Sequence, residues 1–221
     1  RKHLEEAINT AHAAGLEVLV TTQATPVWAT CRERDWDTKR KCTTWTDARS
    51  KSAPRDPQYR EDFIHDMIEH FGNKLQAIEV WNEPNLQGYF SNFGPRTYRN
   101  KILRPSVRGA KRAQAKGAGS VKIVGGGVFT NEKRDEHIAT WVGRHRSDGE
   151  NADLFSTHAY GPPGLVISRM ARANEWYKSR LKKCERHLQR LRREGRDVPD
   201  GVSCPDPEGG FLVTEVGFLD D

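Results

Sequence analysis

Two glutamates, each at the carboxyl end of an apolar run, carry most of the chemistry legible in these 221 residues. The first follows Ala77 to Val80 and reads Trp81-Asn82-Glu83-Pro84-Asn85; the second lies in Phe211 to Val216 as Thr214-Glu215-Val216. Between them Thr157-His158-Ala159-Tyr160-Gly161 closes a further run. A carboxyl pair facing one cleft can divide its labour. One member keeps a proton for a leaving oxygen, while the other stays ionised to attack carbon or to activate water, which is the minimum needed to cleave a glycosidic bond. Either glutamate alone reads equally well as the partner of a nearby Lys or Arg. The two together, with Asn82 and a His-x-Tyr between them, shift the reading to catalysis.

Other chemistries have less support. Gly125-Gly126-Gly127 suggests a phosphate-binding loop, but that fingerprint needs glycine where Thr130 stands, and no partner acid follows. The triplet is read instead as letting its strand approach a cleft closely. Histidines 3, 12, 65, 70, 137, 145, 158 and 187 have no HExxH or comparable spacing, so neither a metal nor another cofactor is expected. Cys31, Cys42, Cys184 and Cys204 lack a CxxC pair. Two loop disulfides, Cys31–Cys42 and Cys184–Cys204, fit their spacing and imply a secreted or extracytoplasmic protein, with four free thiols as the alternative. The chain opens at Arg1 within a helical pattern, and no signal-peptide core is visible.

These residues need elements to position them. Leu4, Ile8 and Ala11 have helical spacing, with Gly15 as a stop. Glu17 to Thr22 is an aliphatic and β-branched run of the kind buried on both faces of a parallel sheet. A long polar loop, roughly 30–57, follows Pro26 and Trp28. Asp56-Pro57 opens a helix with the stripe Phe63, Ile64, Met67, Ile68 and Phe71, closed by Gly72. Strands are expected at Ala77 to Trp81, Val121 to Val124, Ala152 to Thr157 and Phe211 to Val216, the second stopped by the glycine triplet. The helices between them include Tyr98 to Ala110, kinked or broken at Pro105, one around Ile138, Trp141 and Val142, and a basic one from Met170 to Leu191. Alternating helices and strands mean a parallel α/β architecture with right-handed crossovers, either doubly wound or part of a (β/α)8 barrel. In both, functional residues gather at the carboxyl ends of strands.

Composition narrows the class further. Hydrophobic residues make up 35% of the chain, and no apolar run approaches the ~18 residues needed to cross a bilayer, so no membrane partner is expected. Six Trp, eight Phe and five Tyr argue for a packed core despite 30% charged residues. Of the net charge of +6, Ser168 to Val198 contributes eleven Lys or Arg against four Asp or Glu. Such a segment could track a nucleic-acid backbone, but a charge run on a long helix reads first as a solvated face, and no nucleic-acid partner is expected.

WNEPN, with the strand-end Glu215, resembles the clan of retaining glycoside hydrolases with (β/α)8 barrels, in particular family 39 and related cellulase-like members. The clan's acid/base glutamate ends strand four in Asn-Glu-Pro, and its nucleophile glutamate ends strand seven. The resemblance implies a single barrel domain over 1–221, covering about strands three to seven and incomplete at both ends. Strands one, two and eight would be missing, with the strand-two arginine and strand-eight tryptophan of such sites. Expressed alone, such a slice would be poorly soluble and inactive. The implied roles are Glu83 as acid/base, Glu215 as nucleophile and Asn82 as donor to a sugar 2-hydroxyl. Tyr160 would hold the nucleophile's oxygen, with His158 beside it, and Trp28 would offer a flat face to a pyranose or else plug the core. The expected partner is a β-linked oligo- or polysaccharide. The alternatives are a carbohydrate-binding or scaffold barrel without turnover and, last, a nucleic-acid binder working through the basic helix.

Overall fold

The computed structural model describes residues 2–30, 50–91, 94–130, 141, 151–196 and 204, with the backbone of 211–217. In chain order the elements are α1 (Lys2–Ala13), β1 (Leu19–Thr22), the single turn α2 (Val27–Thr30), α3 (Pro57–Phe71) and β2 (Ala77–Val80). They continue with α4 (Pro95–Tyr98), a π-turn (Arg99–Leu103), α5 (Arg104–Ala115), β3 (Lys122–Thr130), β4 (Leu154–Tyr160), α6 (Pro163–Arg193) and β5 (Phe211–Gly217).

The five strands form one sheet in the order β1-β2-β3-β4-β5, each parallel to the last. A doubly wound sheet reverses direction at a switch point, whereas here every crossover adds its strand on the same side. The chain is therefore α/β, with consecutive strands of a (β/α)8 barrel. The helical wall is apolar: Ile78 and Val80 of β2 and Ile123 of β3 pack in one cluster with Ile64 and Ile68 of α3 and Val107 and Ala110 of α5. The opposite face alternates with it, so Ala77, Val124 and Leu154 form a small inner layer.

Local chemistry explains the element boundaries. Asp56 caps α3 by accepting from the Gln58 N–H at 2.9 Å, Pro57 occupies the first turn, and Gly72 ends the helix at φ 54°. Pro105 does not break its helix. The preceding π-turn widens the ladder where the proline ring would meet a carbonyl, and Pro105 then sits in the first turn of α5, where its missing N–H costs nothing. Helix α6 starts earlier than its apolar spacing suggests, at Pro163, and Cys184, Leu188 and Leu191 pack on its inner side with Cys204. The Cys184–Cys204 disulfide is formed. Cys31 and Cys42 lie outside the described residues, as do Ile138 and Val142. Neighbouring Trp141 is helical and buried.

Two expectations need correction. Strand β3 does not stop at the glycines but runs through them to Thr130, absorbing a register shift between Gly125 and Val128. Strand β1 is not buried on both faces: Leu19 is 38% exposed, because among the described residues β1 has a neighbour only in β2.

Arg60 ties the layers together. Its Nε donates to Ser106 Oγ at 2.9 Å, a terminal nitrogen donates to Thr22 Oγ1, and the guanidinium lies 5.6 Å from the Phe63 ring centre. Burial lowers its pKa to about 10, so it stays charged at neutral pH.

Candidate active site

Strand β2 delivers Glu83 through a constrained turn. Trp81 (φ 85°) and Glu83 (φ 45°) both adopt the left-handed conformation that side-chain-bearing residues avoid, at a cost of order 1–3 kcal/mol each. The surroundings fix both. The Trp81 N–H donates to Thr22 O at 2.8 Å, its indole Nε1 donates to Tyr89 O at 3.1 Å, and its ring is buried edge-on against Phe90. The Glu83 N–H donates to Gly127 O at 3.0 Å. Asn85 then pairs with Phe129 like a strand backbone: its amide donates to Phe129 O at 2.7 Å and its carbonyl accepts from Phe129 N at 2.9 Å. Trp81, Asn85 and Gly127 thus hold the glutamate between β2 and the end of β3.

The Glu83 carboxyl is buried, with the residue 5% exposed, and its Oε1 lies 3.1 Å from Nδ1 of the fully buried His158 on β4. The histidine was expected beside Glu215; its described carboxylate partner is Glu83. In the sheet register His158 is nonetheless opposite Glu215, and Tyr160 is opposite Gly217. Glu215 is described by its backbone alone, at the carboxyl end of β5. The half-buried Tyr160 rests its ring on Phe129 at 5.3 Å, and its carbonyl accepts from Arg169 at 2.7 Å. Asn82, also half-buried, precedes Glu83 on the same turn. Five of the expected residues therefore share the carboxyl-terminal rim of β2, β4 and β5.

Trp28 stands apart. It lies 53% exposed on α2, edge-on to Tyr59 at 5.1 Å, and lines a pocket of ≈ 100 Å³ with Ala24, Pro26, Pro54, Tyr59 and Phe63. It is therefore no core plug.

The sequence reading missed Glu79. This third carboxyl is 1% exposed on the inner face of β2; Thr21 Oγ1 donates to its Oε2 at 2.8 Å and Ser156 Oγ donates to its Oε1. A signal was present: in Ala-Ile-Glu-Val-Trp the glutamate interrupts a buried run on the face that Ile78 and Val80 do not use. The glycines leave room for this interior. A Cβ on Gly127 would lie 3.4 Å from both Glu79 Oε1 and His158 Nε2.

Among the described residues, one group offers clustered metal-ligand atoms: the buried His65 with the exposed Asp66 and Glu69, all on α3. His65 is engaged with Asp66 at 3.0 Å and Glu69 with Lys116 at 3.0 Å, which makes the group an ion-pair cluster on the helix.

No protein-family model matches the chain, and no curated protein sequence does. Solved structures share its fold. A monomeric beta-xylosidase from Caulobacter crescentus CB15 superposes with a TM-score of 0.54 at 16% identity, over 80% of this chain and 37% of that one. The GH39 enzyme from Xanthomonas axonopodis pv. citri matches at 0.50 and 15% identity, over 76% of this chain and 31% of its own. A glucosidase from Croceicoccus marinus matches at 0.50 and 14%, over 76% and 32%. The chain spans about a third of the length of each. What it shares with them is the barrel fold of glycosidases.

Proposed function

We propose that this chain is the catalytic core of a retaining glycosidase acting on β-linked oligo- or polysaccharides. Residues 1–221 would belong to one catalytic barrel domain. Glu83 is the general acid/base, Glu215 the nucleophile, and Asn82 the donor to the sugar 2-hydroxyl. The observation that carries the reading is the buried Glu83–His158 contact at 3.1 Å, on the strand whose register sets His158 opposite Glu215. One histidine position thus links the two carboxylate-bearing strands.

In the first step the Glu215 carboxylate attacks the anomeric carbon while Glu83 gives its proton to the leaving oxygen, leaving a glycosyl ester on Glu215 and an ionised Glu83. Water then adds at the anomeric carbon, losing its proton to Glu83 and releasing Glu215. His158 holds the Glu83 carboxyl in place through both steps, because an Nδ1–H can donate to Oε1 whether the group is the acid or the carboxylate, leaving Oε2 to carry the proton. Tyr160 supports Glu215, and Trp28, with Tyr59 edge-on beside it, offers the flat face of its own ring to an outlying sugar. The Cys184–Cys204 disulfide, with a second at Cys31–Cys42, fits a secreted enzyme.

Because a slice expressed alone is expected to be inactive, the test is proton NMR of the full-length protein that carries these residues, with a panel of aryl β-glycosides, β-xylosides and β-glucosides included. The β-anomer as first product supports the reading. The α-anomer first overturns retention, and no cleavage of any member overturns the glycosidase.

A further inference from the structure

Burying a carboxylate inside a barrel is costly unless donors surround it, and a small apolar side chain such as Ala77, its neighbour on the same face, would fill the space more cheaply. Glu79 is nevertheless there, and its hydrogen bonds lead to Glu83. The Ser156 hydroxyl gives its proton to Glu79 Oε1, which leaves the Ser156 oxygen only lone pairs to present elsewhere. That oxygen accepts the Gly127 N–H at 2.7 Å, and the Gly127 carbonyl accepts the Glu83 N–H at 3.0 Å. Ser156 and His158, two residues apart, lie on the same inner face of β4. One strand therefore grips Glu83 twice, its backbone through Gly127 and its carboxyl through His158.

We propose that Glu79, acting through Ser156, is a positioning residue for the acid/base Glu83. This rests on the glycosidase reading above. Glu79 orients the Ser156 hydroxyl, Ser156 fixes the Gly127 peptide, and that peptide holds Glu83 in its left-handed conformation (φ 45°). If the chain of bonds breaks, the peptide can turn and the Glu83 proton is carried off the line to the leaving oxygen. Misplacement by about 1 Å costs on the order of 10²-fold in rate. The loss falls on substrates that need protonation; a leaving group that departs as a stable anion needs little help from Glu83.

The experiment uses the full-length protein and compares kcat/KM for a 2,4-dinitrophenyl and an alkyl β-glycoside of the sugar it cleaves, in wild type, Ser156→Ala, Glu79→Ala and Glu79→Gln. Ser156→Ala and Glu79→Ala are expected to lose roughly 10- to 100-fold on the alkyl glycoside and less than about 3-fold on the dinitrophenyl one. Glu79→Gln keeps a carbonyl acceptor for Ser156 and is expected to restore most of the alkyl activity. Equal losses on both substrates, or a Glu79→Gln as impaired as Glu79→Ala, overturn the proposal. Thermal melts identify any variant that does not fold. Ser156→Cys, which keeps the volume but weakens both bonds, then replaces Ser156→Ala with the same expectations. A wild type inert to both glycosides overturns the glycosidase reading instead. The positioning is then read from the His158 Nδ1 nitrogen resonance, which should move in Ser156→Ala; an unmoved resonance overturns it.

Discussion

Gly126 and Gly127 are neighbours in the same bulge, yet a methyl group added to each should act in opposite ways. At Gly126 the added Cβ would lie 2.5 Å from the Ser156 carbonyl oxygen and 3.2 Å from its nitrogen, both backbone atoms of the adjoining strand, and φ is 130°. Neither atom can swing aside, so the backbone strain of about 1–3 kcal/mol adds to an overpacking cost of about 1–3 kcal/mol. At Gly127 the contacts are looser: 3.2 Å to Trp81 O and 3.4 Å to the Glu79 and His158 side chains, at φ 57°. The left-handed conformation costs a residue with a side chain roughly 1–2 kcal/mol, and the neighbours need to give by only tenths of an ångström. Gly126→Ala should therefore lower stability by about 2–6 kcal/mol in urea unfolding, and Gly127→Ala by about 1–2 kcal/mol at unchanged m. Activity should separate them again. The Gly127 methyl intrudes between Glu79 and His158, so a folded Gly127→Ala should lose more rate than its small stability loss implies. A Gly126→Ala at least as stable as Gly127→Ala would refute the strand-contact argument.

The Cys184–Cys204 bond closes a separation of 20 residues, worth about 3 kcal/mol by loop-closure entropy. The Cys184→Ala/Cys204→Ala double variant should show that loss in urea unfolding, and one below about 0.5 kcal/mol would contradict it. Burial raises the Asp153 pKa, so the folded state prefers the protonated form and stability falls as pH rises from the ordinary carboxylate value through the raised one. Asp153→Asn keeps an acceptor for the Ile123 N–H and should match or exceed wild type at pH 7, with the difference fading below about pH 4. An advantage confined to acid pH would reverse the sign. Trp28→Ala should raise KM for long oligosaccharides and leave aryl monosaccharides unchanged; losses on both would place Trp28 at the reacting ring.

Much of this architecture was legible because its signals are local. The Asp56-Pro57 start of α3 and the strand-end position of WNEPN depend on a few adjacent residues, and each strand run needs only its own apolar pattern. What escaped depends on pairing across the sheet. Three glycines look like a stop until Ser156 and Tyr98 supply the bonds that hold β3 through its bulge, accepting from the Gly127 and Gly126 N–H groups. Pro105 reads as a break because a π-turn leaves no mark in composition. His158 could be assigned to the rim, but its contact with Glu83 spans 75 residues and is not contained in strand spacing. Glu79 was overlooked for the same reason: its donors, Thr21 and Ser156, lie 58 and 77 residues away.

The division of labour between Glu83 and Glu215 is tested most directly by covalent trapping. An activated 2-deoxy-2-fluoro β-glycoside of the cleaved sugar slows both displacements, but its good leaving group lets the first proceed, so the glycosyl ester accumulates. Mass spectrometry of the digested protein should find one sugar per chain on the peptide containing Glu215, and none on it in Glu215→Gln. A label on the peptide containing Glu83, or rapid turnover without any label, would contradict the assignment of Glu215 as nucleophile and Glu83 as acid/base.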